Sequence, residues 1–127
     1  MDIRHLSTDF AVSPQIAPEH LAEVKAAGFA AVICNRPDDE VPPEVQADAI
    51  ARAAAEAGLR FVANPIPAGM MTEDIVTRQG SVASEAHGPV LAYCASGTRS
   101  TVAWLLAAAA AGSGPDELLG AAREAGY

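Results

Sequence analysis

The chain has 127 residues, with 16 acidic and 8 basic side chains and a formal net charge of −8 at pH 7. This length suits a single domain, residues 1–127, that can bury a core without disulfides or a structural metal. The acidic balance excludes nucleic acid and anionic membranes as favourable partners, so an anionic substrate needs a local cationic site. Because 29 of the residues are alanine, we expect helices packed closely on a small sheet.

Location and redox state follow from the same composition. Charged side chains interrupt the first ten residues, so no secretory signal is expected, and the longest apolar run, residues 102–111, is about half of a membrane span. With only Cys34 and Cys94, no disulfide framework is predicted, and a reducing, cytoplasmic location fits best. The three histidines lie apart without ligand spacing, so neither a metal nor another cofactor is expected.

In chain order, the hydrophobic pattern alternates between strands and helices. Strands are predicted over residues 3–12 (one or two short strands), 29–34, 60–63 (a second central strand) and 89–93. Helices are predicted over residues 19–27, 43–57, 72–86 with Thr72 as the cap, 100–111 with Trp104 in the core, and from Pro115 onward. This alternation predicts an α/β fold with a mostly parallel sheet covered by helices on both faces. Ligands bind such sheets at the carboxyl ends of the strands.

The turn after the strand at residues 89–93 carries the strongest chemical signal. Cys94 is predicted at the last strand position, Gly97 permits an unusual turn, and the loop N–H groups can converge on the sulfur. The following helix N-terminus, the Arg99 cation and a hydroxyl from Ser100 or Thr101 all favour a thiolate, which makes a thiol nucleophilic. We therefore predict Cys94 and Arg99 as catalytic residues, against the alternative of a structural cysteine. The predicted anion-binding residues are Ala95, Ser96, Gly97, Thr98 and Ser100.

The Cys94 loop resembles that of cysteine-dependent protein phosphatases and, more closely, that of single-domain rhodaneses. The rest of the chain is similar to a small bacterial family, the phosphatase-like domain of beta-lactamase-hydrolase-like proteins. The similarity extends almost from end to end and rests on Gln15-Ile16-Ala17-Pro18, Ala27-Gly28-Phe29, Asn35-Arg36-Pro37-Asp38-Asp39-Glu40, Gly88-Pro89-Val90, the loop itself and Ala125-Gly126-Tyr127. The resemblance implies a dual-specificity-phosphatase-like α/β fold, with the active loop between the last parallel strand and a helix. The rhodanese resemblance covers the loop alone, because Asn35-Arg36-Pro37 stands where a rhodanese carries Asp-Val-Arg.

Three departures from the phosphatase pattern bear on the reaction. Four residues separate Cys94 from Arg99, as in rhodaneses, whereas tyrosine-type phosphatases have five. Tyr93 replaces the usual histidine, and the loop at residues 64–71 has no acid that could protonate a leaving alcohol. Sulfite or a thiolate leaves without a proton. We therefore predict a sulfurtransferase, with rhodanese-like chemistry on a phosphatase-like fold, that moves sulfur from thiosulfate or a glutathione persulfide through a Cys94 persulfide.

Several alternatives stay open at this point. The chain could instead be a phosphatase acting through a Cys94 phosphoenzyme, or a non-catalytic sensor of persulfides or anions. Cys34 could be a resolving partner of Cys94 or a structural thiol, and Asn35 and Arg36 could support the site or only the turn. The resemblance suggests a persulfide-oxidising partner protein, and the small-residue helix face at residues 107–111 leaves homo-oligomers open.

Overall fold

A computed structural model describes all residues, 1–127, and shows one five-stranded sheet flanked by five α-helices. The strands are β1 (Arg4–His5), β2 (Phe10–Ser13), β3 (Ala31–Cys34), β4 (Arg60–Ala63) and β5 (Val90–Tyr93). The helices are α1 (Leu21–Ala26), α2 (Ala47–Ala57), α3 (Glu73–Glu85), α4 (Thr98–Ala110) and α5 (Pro115–Glu124). The strand order is β1-β2-β5-β3-β4, and only β1 is antiparallel to its neighbour. The predicted α/β class is therefore confirmed.

Two apolar clusters cover the two faces of the sheet. Strand side chains alternate between the faces, so Val32, Leu91 and Tyr93 pack with α1 and α2 on one side. Ile33 and Ala92 pack with α3 and α4 on the other side. The sheet is thus buried on both faces, and its loops at the carboxyl edge are positioned by a rigid core. No helix combines the length and apolar content needed to cross a bilayer.

The sheet corrects two predictions about strands. Residues 60–63 form an edge strand rather than a second central strand, since β4 pairs only with β3 and exposes Arg60 and Ala63. The central strand is β5, which pairs with both β2 and β3. It ends at Tyr93, so Cys94, which was predicted at the last strand position, is the first residue of the loop. Cys94 therefore belongs to the loop that could bind a substrate rather than to the ladder.

Helices α2 and α4 begin at residues other than those that the hydrophobic pattern predicts. α2 begins at Ala47 rather than at residue 43, because Gln46 is extended (ψ 166°) and the Asp38 carboxylate accepts the Ala47 N–H at 2.9 Å. Residues Pro43–Val45 form a separate 3₁₀ turn. α4 begins at Thr98, two residues earlier than predicted. The Thr72 cap is confirmed, whereas Trp104 is only half-buried, stacked on Phe10.

Candidate active site around Cys94

The loop after β5 lies between the ends of two neighbouring strands. Because β5 is central, the chain leaving it is bordered by residues that follow β2 and β3. Asn35 donates its backbone N–H to the Tyr93 carbonyl at 2.8 Å, and Gln15 donates its backbone N–H to the Ala95 carbonyl at 3.4 Å. These bonds hold the base of the loop on both sides and bury Cys94 to 1% exposure.

The loop presents backbone donors to the sulfur. Gly97 has φ +93°, in the left-handed region that favours glycine, and its N–H donates to the Cys94 Sγ at 3.2 Å. The Thr101 hydroxyl donates to the Gly97 carbonyl at 2.8 Å, so Thr101 supports the turn rather than the sulfur. Among the predicted anion-binding residues, Gly97 and Ser100 are buried, whereas the exposed ones are Ala95, Ser96 and Thr98. The loop thus has an inner wall at the sulfur and an outer rim in solvent.

Electrostatics favour the Cys94 thiolate despite burial. Burial by itself would raise the pKa of this thiol. Hydrogen bonds from Ser100, Gly97 and Ser96 outweigh burial and lower the pKa below its ordinary value. The Ser100 hydroxyl is buried and otherwise unpartnered, so it is available to donate to the sulfur. A lowered pKa increases the thiolate fraction of Cys94, and the thiolate is the nucleophilic form of a cysteine.

Arg99 is held by a carboxylate that the sequence analysis did not assign to the site. Its two terminal nitrogens donate to the two Glu40 oxygens at 2.9 and 2.8 Å, and Nη1 also donates to the Ile66 carbonyl at 2.7 Å. Hydrogen bonding to Arg99 lowers the pKa of Glu40, and the same contact raises the pKa of Arg99. The cationic fork predicted for an oxyanion is therefore already paired with an anion. The only sequence signal for Glu40 is its place in the motif at residues 35–40.

Arg36 reaches the site through the same carboxylate. Its Nε lies 3.3 Å from Glu40 Oε1, and its Nη1 donates to Gln15 Oε1 at 3.4 Å. Glu40 is thus bracketed by two guanidinium groups, Arg36 and Arg99. The structure places Arg36 at the site by way of Glu40, without contact to the Cys94 sulfur.

Asn35 has a different place, behind the loops. Its side chain is fully buried and donates to the Asn64 carbonyl at 2.8 Å and to Gln79 Oε1 at 2.9 Å. Gln79 donates back to Asn35 Oδ1 at 2.9 Å, and Asn64 donates to Gln79 Oε1 at 3.0 Å. This closed amide network fastens the loops after β3 and β4 to α3. Sequence reasoning gave no role to Gln79.

Cys34 lies beside the site in a contrasting environment. It pairs in register with Tyr93, and its thiol donates to the Arg36 carbonyl at 3.3 Å. Burial raises the pKa of Cys34. The thiol lines a cavity of about 340 Å³ whose walls include Asp38, Asp39 and Pro65. No group of three or more His, Cys, Asp or Glu has the arrangement of a metal site.

The fold and this loop define a class of protein: α/β proteins with a phosphatase-like fold and a cysteine at the start of the loop that follows the central strand. Residues 2–111 match the family described as beta-lactamase hydrolase-like protein, phosphatase-like domain, and the chain belongs to this family. A beta-lactamase hydrolase-like protein of Xylella fastidiosa is 33% identical over 107 residues, which are 84% of this chain and 25% of that protein. The chain therefore spans about a quarter of the length of this curated relative.

Solved structures agree with the fold. A candidate phosphatase from Neisseria meningitidis is 31% identical, with a TM-score of 0.86 over 100% of this chain and 90% of that one. A structure described as Tk-PTP in the active form is 22% identical, with a TM-score of 0.74 over 98% of this chain and 84% of that one, and it supports the fold alone. The family resemblance and the phosphatase-like fold are confirmed. The rhodanese-like character of the loop and the roles of Cys94 and Arg99 stay predictions.

Proposed function

We propose that the chain is a cysteine-dependent sulfurtransferase on a phosphatase-like fold. Cys94 would take a sulfane sulfur from an anionic donor such as thiosulfate or a glutathione persulfide and pass it to an acceptor thiol or cyanide. One observation carries the proposal: Glu40, the carboxylate paired with the catalytic-loop arginine, is held as an anion by Arg99 and Arg36. It therefore cannot serve as a proton donor near neutral pH.

The need for a proton donor depends on the leaving group. Hydrolysis of an alkyl phosphate requires a general acid, because an alkoxide leaves poorly. Residues 64–71, where phosphatases of this fold carry that acid, contain no Asp or Glu. The Asp38 carboxylate is engaged at the start of α2. Sulfite and low-pKa thiolates leave without protonation, so this site is better suited to sulfur transfer.

Sulfur transfer from the donor to Cys94 needs no external oxidant. The Cys94 thiolate attacks the outer sulfur of thiosulfate, a Cys94 S–S bond forms, the donor S–S bond breaks, and sulfite leaves with the bonding electron pair. With a glutathione persulfide, glutathione thiolate leaves in the same way. An acceptor thiolate then attacks the outer sulfur and regenerates the Cys94 thiolate. Loop N–H groups would hold the anionic end of the donor, and a persulfide-oxidising partner would fit such a cycle.

The comparisons favour a second candidate, a phosphatase acting through a Cys94 phosphoenzyme that water hydrolyses. The similar solved proteins carry phosphatase names, and the fold is theirs. A lowered Cys94 pKa suits attack on phosphorus as well as on sulfur. Without a general acid, this candidate would be confined to esters with acidic leaving groups such as aryl phosphates.

The deciding experiment is intact-mass analysis and peptide mapping after incubation with thiosulfate or glutathione persulfide, beside a parallel aryl phosphate assay. The sulfurtransferase proposal predicts the mass of one added sulfur on the Cys94 peptide, removed by cyanide or thiol. The Cys94→Ser variant should gain none, and the matched Cys34→Ser variant should still be labelled. Phosphate release that requires Cys94, with no added sulfur, would establish the phosphatase instead. If the folded protein does neither, the chain is a sensor or anion-binding domain.

A further inference from the structure

The segment after α5 lies against the Cys94 loop. It is the motif Ala125-Gly126-Tyr127. The Tyr127 hydroxyl donates to the Ser96 carbonyl at 2.8 Å. A methyl group on Gly97 would collide with the same hydroxyl, so Tyr127 occupies the space directly beside the turn. The tyrosine is therefore in contact with the residues that contact the sulfur.

The motif is built to place this side chain. Gly126 has φ +97°, and Tyr127 donates its backbone N–H to the Ala122 carbonyl at 2.9 Å, which turns the chain back at the end of α5. Arg4 Nη1 donates to the Ala125 carbonyl at 3.1 Å, and the Arg4 guanidinium lies 5.2 Å from the centre of the Tyr127 ring. A side chain at Gly126 would come within 2.7 Å of Arg4 Nη1. Each residue of the motif thus contributes to holding the tyrosine.

The hydroxyl and the sulfur bind opposite sides of one peptide unit. In a trans peptide, the carbonyl oxygen and the following N–H point in opposite directions. The oxygen of the Ser96–Gly97 peptide accepts from Tyr127, and the N–H of the same unit donates to Cys94 Sγ at 3.2 Å. Fixing the carbonyl outward therefore fixes the N–H inward. A rotated peptide would turn its carbonyl dipole toward the thiolate and repel it.

We propose that Tyr127 is a positioning residue for the nucleophile: by donating a hydrogen bond to the Ser96 carbonyl, its hydroxyl keeps the Gly97 amide aimed at Cys94. The proposal deepens the proposed function and rests on it only in treating Cys94 as the nucleophile. Tyr127 itself makes no contact with the sulfur, so its effect passes through the peptide.

The test is the Tyr127→Phe variant, which removes one oxygen and keeps the ring. Hydrogen bonds to charged groups are stronger than those between neutral groups. Partial misalignment of the Gly97 N–H bond to the Cys94 thiolate should therefore raise the Cys94 pKa by about half a unit to one unit. At pH values well below that pKa, the thiolate fraction should then fall about threefold to tenfold. The measurement is the pH profile of iodoacetamide alkylation of the Cys94 peptide, without any substrate. The chain's other tyrosine supplies the matched control, since Tyr93→Phe removes a buried hydroxyl beside Cys34 and should leave the Cys94 profile unchanged.

The outcomes separate this proposal from the proposed function. An unshifted Cys94 profile in folded Tyr127→Phe would overturn the positioning role, whether or not sulfur or phosphate transfer is found. If Tyr127→Phe does not fold, Arg4→Leu takes its place, because it loosens the anchor of the tyrosine and leaves the hydroxyl. Arg4→Leu should raise the Cys94 pKa by a smaller amount, and no rise would equally overturn the role. A shifted profile with no transfer activity would support Tyr127 and reject the function.

Discussion

Two almost equally buried cysteines lie at the carboxyl ends of neighbouring parallel strands: Cys34 is the last residue of β3, and Cys94 directly follows β5. Cys34 is 3% exposed and Cys94 is 1% exposed, and β3 and β5 are hydrogen-bonded partners. Burial raises the pKa of any thiol, so burial alone would make both residues unreactive. The pKa of Cys34 is raised, whereas that of Cys94 is lowered.

The difference comes from what the backbone offers each sulfur. Cys94 accepts the Gly97 N–H and lies among the amides that begin α4, which stabilise a negative charge. The Cys34 thiol donates to the Arg36 carbonyl, and backbone hydrogen bonding at Arg36 does not offset burial, which is the main cause of the raised Cys34 pKa. The carboxylate of Asp38 further disfavours a charge on Cys34. Because the two cysteines are almost equally buried, loop conformation rather than depth of burial accounts for the opposite directions of their pKa shifts.

The largest expected difference between the two cysteines is the effect of their substitution on activity. Cys94→Ser should lower the rate of whichever transfer reaction the protein catalyses by at least about a thousandfold, because it removes the nucleophile. Cys34→Ser should keep the rate within about threefold and lower the free energy of unfolding by about 1–2 kcal/mol through a buried hydroxyl. Steady-state assays and urea titrations measure both effects. If Cys34→Ser loses as much activity as Cys94→Ser, Cys34 is a resolving partner and not a structural thiol.

At neutral pH, alkylation should be faster at Cys94 than at Cys34, because the pKa of Cys94 is lowered and that of Cys34 is raised. The Cys94 rate should level off below the ordinary thiol pKa, whereas the Cys34 rate should still rise above it. The two pKa shifts also make the stability of the fold depend on pH, in opposite directions. The Cys94 thiolate stabilises the fold above its unfolded-state pKa, and this contribution is lost as the pH falls through the lowered value. The Cys34 thiol stabilises the fold below its unfolded-state pKa, and this contribution is lost as the pH rises through the raised value. Equal alkylation profiles for the two peptides would refute the contrast.

Gly97→Ala should disturb the backbone hydrogen bond to the Cys94 sulfur, which distinguishes Cys94 from Cys34. Alanine is strained at φ +93° and would collide with Tyr127, so we expect a loss of about 1–3 kcal/mol in the free energy of unfolding and a higher Cys94 pKa. Gly112→Ala is the matched control, because Gly112 has φ +102° with open space around it, and it should cost only about 1 kcal/mol. Denaturant titration and alkylation profiles measure both. A Gly97→Ala protein with the wild-type Cys94 profile would mean that the Gly97 amide does not control the thiol.

The smallest expected effect concerns Glu40. Glu40→Gln leaves Arg99 unneutralised, so inorganic sulfate should bind about threefold to tenfold more tightly and the Cys94 pKa should fall slightly, with Cys34 unchanged. Glu44→Gln removes an equal charge from an exposed 3₁₀ turn and should change neither value. Calorimetric titration with sulfate is the measurement. Weaker sulfate binding in Glu40→Gln would show that Glu40 orients Arg99 more than it neutralises it.

The parts of the site that were predictable are contiguous in the chain. Cys94, Gly97 and Arg99 belong to one loop, so their proximity needs no knowledge of the fold. Glu40 binds Arg99 across 59 positions, and Tyr127 binds Ser96 across 31 positions. No local pattern indicates that a carboxylate or a tyrosine so distant will meet the loop.

The amino-acid sequence by itself determined the α/β class, the alternation of its elements and the cysteine loop, because hydrophobic period and turn residues act over short distances. It did not determine that β4 lies at the edge, since strand order depends on pairing between segments far apart in the chain. Tertiary structure alone decided that Arg99 is neutralised by Glu40 and that Tyr127 supports the peptide facing Cys94. Those contacts arise where chain segments converge at the carboxyl edge of the sheet, and only the packed core brings them together.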